Sequence, residues 1–91
     1  MTKFSEDEIQ IRLKNLDNWF YVNQSIEKNY KFNSFSQALA FIIQVGLLAE
    51  KGNHHPEIFN IYNEVQIRLN THDAAGITYK DFDLATAIEN L

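Results

Sequence analysis

The 91-residue chain has no cysteine, one proline and only three glycines. The lack of cysteine excludes disulfides and thiolate-bound metals, and it fits a reducing compartment, so we expect a cytoplasmic location. With so few glycine and proline residues, the connections between secondary-structure elements are expected to be short. The chain is also too short for a second hydrophobic core, so residues 1–91 are interpreted as one domain.

Positive charge and long apolar runs are scarce as well. Eight Lys and Arg stand against twelve Asp and Glu, giving a net charge of −4, which argues against a nucleic-acid partner. The longest apolar run, residues 38–43, is too short to span a bilayer, and the opening MTKFSEDEIQ lacks the pattern of a signal peptide. The expected partners are therefore a small molecule or another protein, with no membrane involved.

Three helix starts are marked by capping residues. Ser5 and Glu8 form a capping box, Ser34 can cap a second helix, and Thr78 with Asp81 repeats the box. The second helix carries apolar residues around much of its circumference, which predicts that it is the most buried element and the main contributor to the core. It should end at Gly52-Asn53. The residues expected to face inward on the first and third helices are Ile9, Leu13, Leu16, Phe82, Ala85, Ile88 and Leu91.

Two strand pairs lie between these helices. Residues 19–22 and 26–32 are rich in aromatic and β-branched residues and flank the turn-like Asn23-Gln24-Ser25. A second pair surrounds Asn63-Glu64, and residues 65–71 alternate apolar and polar side chains, which is typical of a half-buried strand. The resulting order, α-β-β-α-β-β-α, predicts an α+β fold in which three helices cover one face of a four-stranded antiparallel sheet.

All three histidines lie at the open end of the second hairpin. A two-residue turn at Asn63-Glu64 pairs Tyr62 with Val65, and the same register then sets Pro56 opposite Thr71 and His55 opposite His72. Directly opposed residues have Cβ atoms about 5 Å apart. We therefore expect His54, His55 and His72 to meet at one corner of the sheet.

Several kinds of chemistry fit a histidine cluster to different degrees. A single loop histidine is usually exposed or structural, but three that converge indicate a site. Zinc fits poorly, because adjacent histidines in an extended segment point in opposite directions. A nucleophile is less favoured still, since the chain has no cysteine and no serine near the cluster. Acid–base chemistry fits best because imidazole titrates near neutral pH, and Asp73 or Glu50 can orient or charge a ring.

Taken together, these residues resemble the pterin-4a-carbinolamine dehydratase family. The resemblance rests on a histidine pair before proline, followed at the same spacing by a Thr-His-acid triplet, and it runs from about Leu13 to the end. Ala75 stands where many members have glycine, and Asp17-Asn18 stands where a glycine is common. The positions that match are Trp19, Tyr30-Lys31-Phe32, Phe35, Ala38, Phe41, Ala49-Glu50-Lys51, Asn53-His54-His55-Pro56-Glu57, Tyr62-Asn63, Val65, Thr71-His72-Asp73, Ala75-Gly76-Ile77-Thr78 and Asp81.

The resemblance implies a reaction as well as a fold. Members of the family are lyases that remove water from 4a-hydroxytetrahydropterin to give quinonoid dihydropterin, in the recycling of tetrahydrobiopterin after aromatic amino-acid hydroxylation. They use no metal and no cofactor. The resemblance implies that His54 and His55 are the main acid–base pair and that His72 binds and polarises the substrate. The implied pterin-binding residues are Asn53, His54, His55, Asn70, Thr71, His72 and Asp73.

Other expectations from the resemblance concern the pocket walls and the partners. Glu50, Pro56 and Trp19 are candidate pocket walls, although core packing explains Trp19 equally well. Family members form dimers and tetramers, so a homodimer or homotetramer is expected. Animal relatives also serve as dimerisation cofactors of a homeodomain transcription factor. The second hypothesis is therefore a non-catalytic protein-binding module on the same fold.

Overall fold

The elements follow one another in the order α-β-β-α-β-β-α, as the sequence predicts. In the computed structural model, which describes residues 2–91, the helices are α1 (Glu6–Leu13), α2 (Phe35–Gly52) and α3 (Tyr79–Glu89). The strands are β1 (Phe20–Val22), β2 (Ser25–Lys31), β3 (Glu57–Ile61) and β4 (Glu64–Leu69), and they form an antiparallel sheet in the order β1-β2-β4-β3. The predicted α+β fold is confirmed. Within residues 2–91, no helix is long and apolar enough to cross a membrane.

The helix starts are the capped positions that the sequence marks. The Ser5 backbone N–H donates to Glu8 Oε1 at 2.8 Å, and the Glu8 N–H donates back to Ser5 Oγ at 3.2 Å. Ser34 Oγ accepts from the Gln37 N–H at the start of α2. Each of these bonds satisfies an N–H group that the first helical turn leaves without a partner, so the predicted caps are confirmed.

The first hairpin turns on two residues with left-handed backbone. Asn23 and Gln24 have φ angles of 49° and 65°, and Val22 pairs directly with Ser25. Positive φ at both central positions matches the right-handed twist of the flanking strands. Ser25 therefore belongs to β2 rather than to the turn, and Trp19 lies just before β1.

The turn of the second hairpin lies one residue earlier than predicted, which shifts the pairing of the two strands by two residues. Ile61 pairs with Glu64, so the two-residue loop is Tyr62-Asn63 and the pairing of Tyr62 with Val65 is wrong. Asn60 is the partner of Val65 instead. A shift of two residues keeps every side chain on its predicted face, because side chains alternate with a period of two.

The reason for the shift lies outside the hairpin. Asn63 Nδ2 donates to the Phe32 carbonyl at 2.8 Å, and the Phe32 N–H donates to the Asn63 carbonyl at 2.9 Å. Asn63 is thereby held against the end of β2, and the left-handed position of the turn falls on Tyr62, whose φ is 48°. Asn60 Nδ2 supports this arrangement by donating to the carbonyls of Tyr62 and Glu64.

The core lies between the helices and the inward face of the sheet. β4 shows the predicted alternation, with every second side chain buried. The prediction for the third helix holds at Phe82, Ala85 and Ile88 but is wrong for Leu91, which is 54% exposed. The buried apolar side chains are Ile9, Leu13, Leu16, Trp19, Ile26, Ala38, Val45, Ala49, Val65, Ile67, Leu69, Ile77, Phe82, Leu84, Ala85 and Ile88.

The prediction that α2 is the most buried element is wrong. Only Ala38, Val45 and Ala49 of this helix are buried. Four apolar residues spaced four apart are exposed along the helix, and we call them the α2 stripe: Phe35 (45% exposed), Leu39 (43%), Ile43 (64%) and Leu47 (67%). The apolar pattern thus covers two faces, of which this chain buries only one.

A three-residue polar cluster ties β2 to the end of α3. Lys28 Nζ donates to Glu89 Oε1 at 2.6 Å, and Tyr30 Oη donates to Glu89 Oε2 at 2.7 Å. Burial raises the pKa of Glu89, but the hydrogen bonds from Lys28 and Tyr30 outweigh it and leave that pKa below its usual value. Burial, followed by the bond to Glu89, raises the pKa of Tyr30.

Glu89→Gln should destabilise the fold in a pH-dependent way. A lowered folded-state pKa means that Glu89 stabilises the protein above its unfolded pKa of about 4.3 and loses this effect as the pH falls through the folded value. We expect a loss of about 1–3 kcal/mol at pH 7, which shrinks as the pH falls below about 4.3. Urea unfolding of both proteins at several pH values measures this difference, with Glu64→Gln as an exposed control. A difference that stays constant with pH would contradict the assignment.

Candidate active site

The adjacent histidines lie where α2 turns sharply into β3. α2 ends at Gly52, and the left-handed backbone of its C-cap, Asn53 (φ 48°), reverses the chain. The His54 N–H then donates to the Ala49 carbonyl at 3.0 Å, which caps the helix end. Because Pro56 favours an extended conformation in the residue before it, the chain leaves the cap directly into β3. The helix end thus sets the position of both rings.

The second histidine segment is a tight turn between β4 and α3. His72 begins a single 3₁₀ turn that closes at Ala75, which has left-handed backbone (φ 54°). The Thr71 N–H donates to the Gly76 carbonyl at 2.8 Å across the base of this turn. The side chain of Asn70 donates to Ser25 Oγ at 3.3 Å. Asn70 and Thr71 are therefore anchored to the sheet, whereas the turn itself projects outwards.

Asp81 joins the two segments. Its carboxylate is fully buried, and Oδ1 lies 2.6 Å from Nε2 of His54. The other oxygen, Oδ2, accepts from the Thr71 hydroxyl at 2.8 Å and from the Thr78 N–H at 2.9 Å. One carboxylate therefore caps α3, holds the His54 ring and fixes the residue next to His72.

The hydrogen bonds of Asp81 determine where protons lie on His54. Since the Thr71 hydroxyl donates to Asp81, the Thr78 hydroxyl must donate to Thr71 across their 2.8 Å contact. Asp81 acts as an acceptor throughout, so a neutral His54 ring carries its proton on Nε2. The lone pair then lies on Nδ1. This atom has no hydrogen-bond partner within residues 2–91, and it is not one of the fully buried side-chain atoms there that lack a partner.

His54 also lines a cleft between the end of α2 and the start of α3. The cleft has a volume of about 430 Å³, which lies within the range of small-molecule sites. The His54 side chain is 12% exposed, whereas the side chain of Asp81, which it contacts, is fully buried. The ring is therefore held at Nε2 and lines the cleft, whereas neither His55 nor His72 is among the lining residues.

The other two histidines are more exposed. His55 Nε2 lies 2.5 Å from Glu50 Oε1, and both side chains are mostly open to solvent. Glu50 is therefore in a position to orient the His55 ring. His72 and Asp73 are exposed, and the side chain of neither makes a hydrogen bond to another of residues 2–91.

The observed strand register changes which residues face each other at this corner. Extended outwards from the Glu57–Arg68 pair, it sets His54 opposite Thr71, so the predicted pairings of Pro56 with Thr71 and His55 with His72 are wrong. The contact of both His54 and Thr71 with Asp81 agrees with the new alignment. The two segments still meet, but through Asp81 rather than through opposed imidazoles.

Sequence reasoning missed the role of Asp81 and left that of Trp19 open. Thr78 and Asp81 match a capping box, and this match accounted for the aspartate fully, so nothing in the pattern indicated a second partner. Trp19 is only 3% exposed, and the cleft that it borders is formed with α1 residues such as Leu13 and contains none of the histidines. Core packing, one of the two roles weighed for Trp19, accounts for its position.

No group of three or more His, Asp or Glu side chains within residues 2–91 is arranged to hold a metal ion. The donors at this corner occur as pairs, His54 with Asp81 and His55 with Glu50. Each pair suits the holding and transfer of a proton.

Comparisons with known proteins agree on one family. The family model described as "Pterin 4 alpha carbinolamine dehydratase" matches residues 2–91. Two similar proteins, both named "Putative pterin-4-alpha-carbinolamine dehydratase", come from Christiangramia forsetii and Solibacter usitatus. The first is 45% identical, over 100% of this chain and 94% of its own. The second is 49% identical, over 99% and 95% respectively.

Two solved structures share the fold. A transcriptional coactivator/pterin dehydratase from Brucella melitensis superposes with a TM-score of 0.93 at 38% identity, covering 98% of this chain and 97% of the other. A pterin dehydratase-like protein, identified as a RuBisCO assembly factor of the alpha-carboxysome, gives a TM-score of 0.62 at 22% identity over 72% of this chain and 76% of its own. The second likeness concerns the fold alone.

Proposed function

Because this chain belongs to the pterin 4 alpha carbinolamine dehydratase family, we propose that it dehydrates 4a-hydroxytetrahydropterins by general acid–base catalysis. The product is quinonoid dihydropterin plus water, so the protein is a lyase that serves tetrahydropterin recycling. The proposed catalytic residues are His54, His55 and His72. The observation that carries the proposal is the contact between the buried Asp81 and His54, whose ring also lines a cleft.

His54 is the proposed base. Dehydration requires the proton on the pterin N5 to leave as the C4a=N5 double bond forms. Nδ1 of His54 is suited to accept this proton, because Asp81 keeps the other ring nitrogen protonated and stabilises the imidazolium that results. Burial of Asp81 strengthens this interaction, since little water screens it.

His55 is the proposed acid. The C4a–O bond breaks with its electron pair on oxygen, and a proton from His55 turns the leaving hydroxyl into water. The Glu50 carboxylate, 2.5 Å from His55 Nε2, orients the ring. One proton enters at oxygen and one leaves at N5, so the enzyme returns to its starting charge when His54 passes its proton to water and His55 regains one.

The remaining site residues are proposed to bind the pterin. His72 lies in the turn anchored by Thr71, and we assign it the binding and polarisation of the substrate. The pterin-contacting set is Asn53, His54, His55, Asn70, Thr71, His72 and Asp73, with Glu50 and Pro56 as walls. The backbones of these segments are held by the α2 cap and by the Thr71–Gly76 bridge, which keeps the donors in place before substrate arrives.

We propose that the reaction needs neither metal nor cofactor. A carbinolamine loses water by proton transfer alone, and the histidine–carboxylate pairs supply that chemistry. The lack of cysteine fits the reducing cytoplasm, where we propose that the protein works. With a net charge of −4, the protein is not expected to bind nucleic acid.

The direct test is a stopped-flow measurement of the decay of 4a-hydroxytetrahydropterin with and without the protein. The wild-type protein should accelerate the decay and give quinonoid dihydropterin as its immediate product. Free imidazole at three times the protein concentration is the control, because it supplies the same functional groups without their arrangement. A rate no higher than that of the imidazole control would refute the proposed activity.

We further propose that the chain forms a homodimer or homotetramer and buries the α2 stripe between copies. Four exposed apolar side chains on one helix face are costly to leave in water. Ile43→Glu with Leu47→Glu, at the two most exposed positions of the stripe, should lower the mass seen by light scattering towards the 10.6 kDa of one chain. Ile11→Glu, at a 62% exposed position on α1, is the control. A wild-type monomer would contradict this proposal.

The second candidate is a protein-binding module on the same fold. It is favoured by the exposed α2 stripe and by the name of the solved structure that is 38% identical, a transcriptional coactivator/pterin dehydratase. A module of that kind needs the α2 surface but not the imidazoles. The decay assay therefore separates the two candidates.

A further inference from the structure

The cleft beside His54 carries a charge opposite to that of the whole chain. Lys51, at the end of α2, and Lys80, in the first turn of α3, both line it, and Asp83 is the only acidic residue among its lining residues. Neither lysine takes part in the five ion pairs formed within residues 2–91. Two lysines outside these ion pairs thus line the cleft together with one aspartate, on a chain whose net charge is −4.

The position of this cleft relative to His54 determines which part of a pterin can enter it. In a tetrahydropterin, N5 is bonded to both C4a and C6, so a substituent on C6 begins at the atom next to the nitrogen that His54 deprotonates. In the proposed reaction C4a faces the acid His55, which does not line this cleft. The C6 substituent, on the other side of N5, then extends towards the wall that His54 forms with Lys51 and Lys80. The cleft of about 430 Å³ has room for such a side chain.

We propose that this cleft is a subsite for the C6 substituent and that it selects tetrahydropterins whose C6 side chain carries a phosphate ester. The inference rests on the proposed dehydratase function and adds the substrate class. A phosphate presents several acceptor oxygens and a double negative charge, which two lysines can approach from different sides. The start of α3 is already capped by the chain itself, since Thr78 Oγ1 accepts from the Lys80 N–H and Asp81 Oδ2 accepts from the Thr78 N–H.

The test compares two 4a-hydroxytetrahydropterins that differ only in carrying a hydroxymethyl group or its phosphate ester at C6. At low ionic strength, kcat/KM for the phosphate ester should exceed that for the alcohol about tenfold. The preference should shrink as salt screens the exposed ammonium groups. Lys51→Gln with Lys80→Gln should bring the ratio of the two kcat/KM values close to one.

A matched pair of lysines elsewhere provides the control. Lys14→Gln with Lys31→Gln removes the same total charge at positions outside the cleft and should leave the ratio unchanged. A wild-type ratio of one or less, or a ratio that survives Lys51→Gln with Lys80→Gln, overturns the subsite.

Binding of the two corresponding 7,8-dihydropterins, which cannot lose water, is measured by calorimetry on the same proteins. This measurement separates failure of the subsite from failure of the proposed activity. A phosphate preference in binding without turnover of either carbinolamine retains the subsite and rejects the dehydratase. Turnover of both carbinolamines without a phosphate preference in binding retains the dehydratase and rejects the subsite.

Discussion

Replacing His54 and His55 together by alanine should lower kcat/KM for dehydration by about 10³- to 10⁵-fold. General acid–base catalysis contributes about 10²–10⁴ for each group, and the two groups act in the same step, so their effects are not expected to multiply fully. The residual rate should approach that of the uncatalysed reaction, because carbinolamines lose water spontaneously. Stopped-flow decay of 4a-hydroxytetrahydropterin measures both rates.

Replacing His54 by alanine also removes a hydrogen-bond partner of the buried Asp81. A separate control must therefore distinguish a loss of stability from a loss of catalysis. His54→Gln keeps an N–H donor that can reach Asp81 Oδ1 but cannot accept a proton from substrate. We expect His54→Gln to retain most of the stability and to lose activity as His54→Ala does. Far-ultraviolet circular dichroism and urea unfolding report the fold. Undiminished dehydration by the folded double variant would reject the site.

Asp81→Asn should lower kcat by about 10²- to 10⁴-fold while changing KM little. The amide oxygen can still accept from Thr71 and Thr78, but the amide NH₂ then faces Nε2 of His54. A neutral ring must respond by moving its proton to Nδ1, which removes the lone pair that is proposed to act as the base. The corresponding substitution in a serine-protease triad acts by the same change of tautomer and costs about 10⁴ in kcat.

Asp81 acts through His54, so its test includes the position of the proton. Nitrogen-15 spectra at a pH where the ring is neutral should show the His54 proton on Nε2 in the wild type and on Nδ1 in Asp81→Asn. Stability should fall by about 1–3 kcal/mol through the weakened buried network. Asp17→Asn, outside the site, is the control for loss of one negative charge. A wild-type ring protonated on Nδ1 would contradict the proposed base.

Contacts within a few residues made the helix starts and the fold class predictable. Ser5 with Glu8 and Thr78 with Asp81 are three residues apart, so their capping boxes can be read directly from the chain. The alternation of β4 likewise depends only on the two-residue period of a strand. The fold class followed from the order of such segments.

The turn of the second hairpin was not predictable in the same way. Asparagine tolerates left-handed backbone better than tyrosine does, so the sequence favoured a turn centred on Asn63-Glu64. The structure uses Asn63 to hold the end of β2 and places the left-handed residue at Tyr62. The resulting two-residue shift in strand pairing kept each side chain on its predicted face but changed the partner of every residue at the histidine corner.

The burial of α2 was misjudged for a related reason. An apolar residue on a helix indicates a face that avoids water but does not say whether the partner is the same chain or another. Ile43 and Leu47 remain exposed in the single chain, so their partner is expected to be a second copy. The width of an apolar pattern on a helix therefore does not give the share of the helix that its own chain buries.

By itself, the sequence determined the helices, the strands, the faces that they bury and the two segments that carry the histidines, because each depends on neighbours in the chain. Only the tertiary structure decided the register at the histidine corner and the second role of Asp81. Those features depend on Asn63 reaching Phe32, 31 residues away, and on Asp81 reaching His54, 27 residues away. A single carboxylate can cap its own helix and hold a distant imidazole at once, and only the packing of α2 against α3 brings that imidazole within reach.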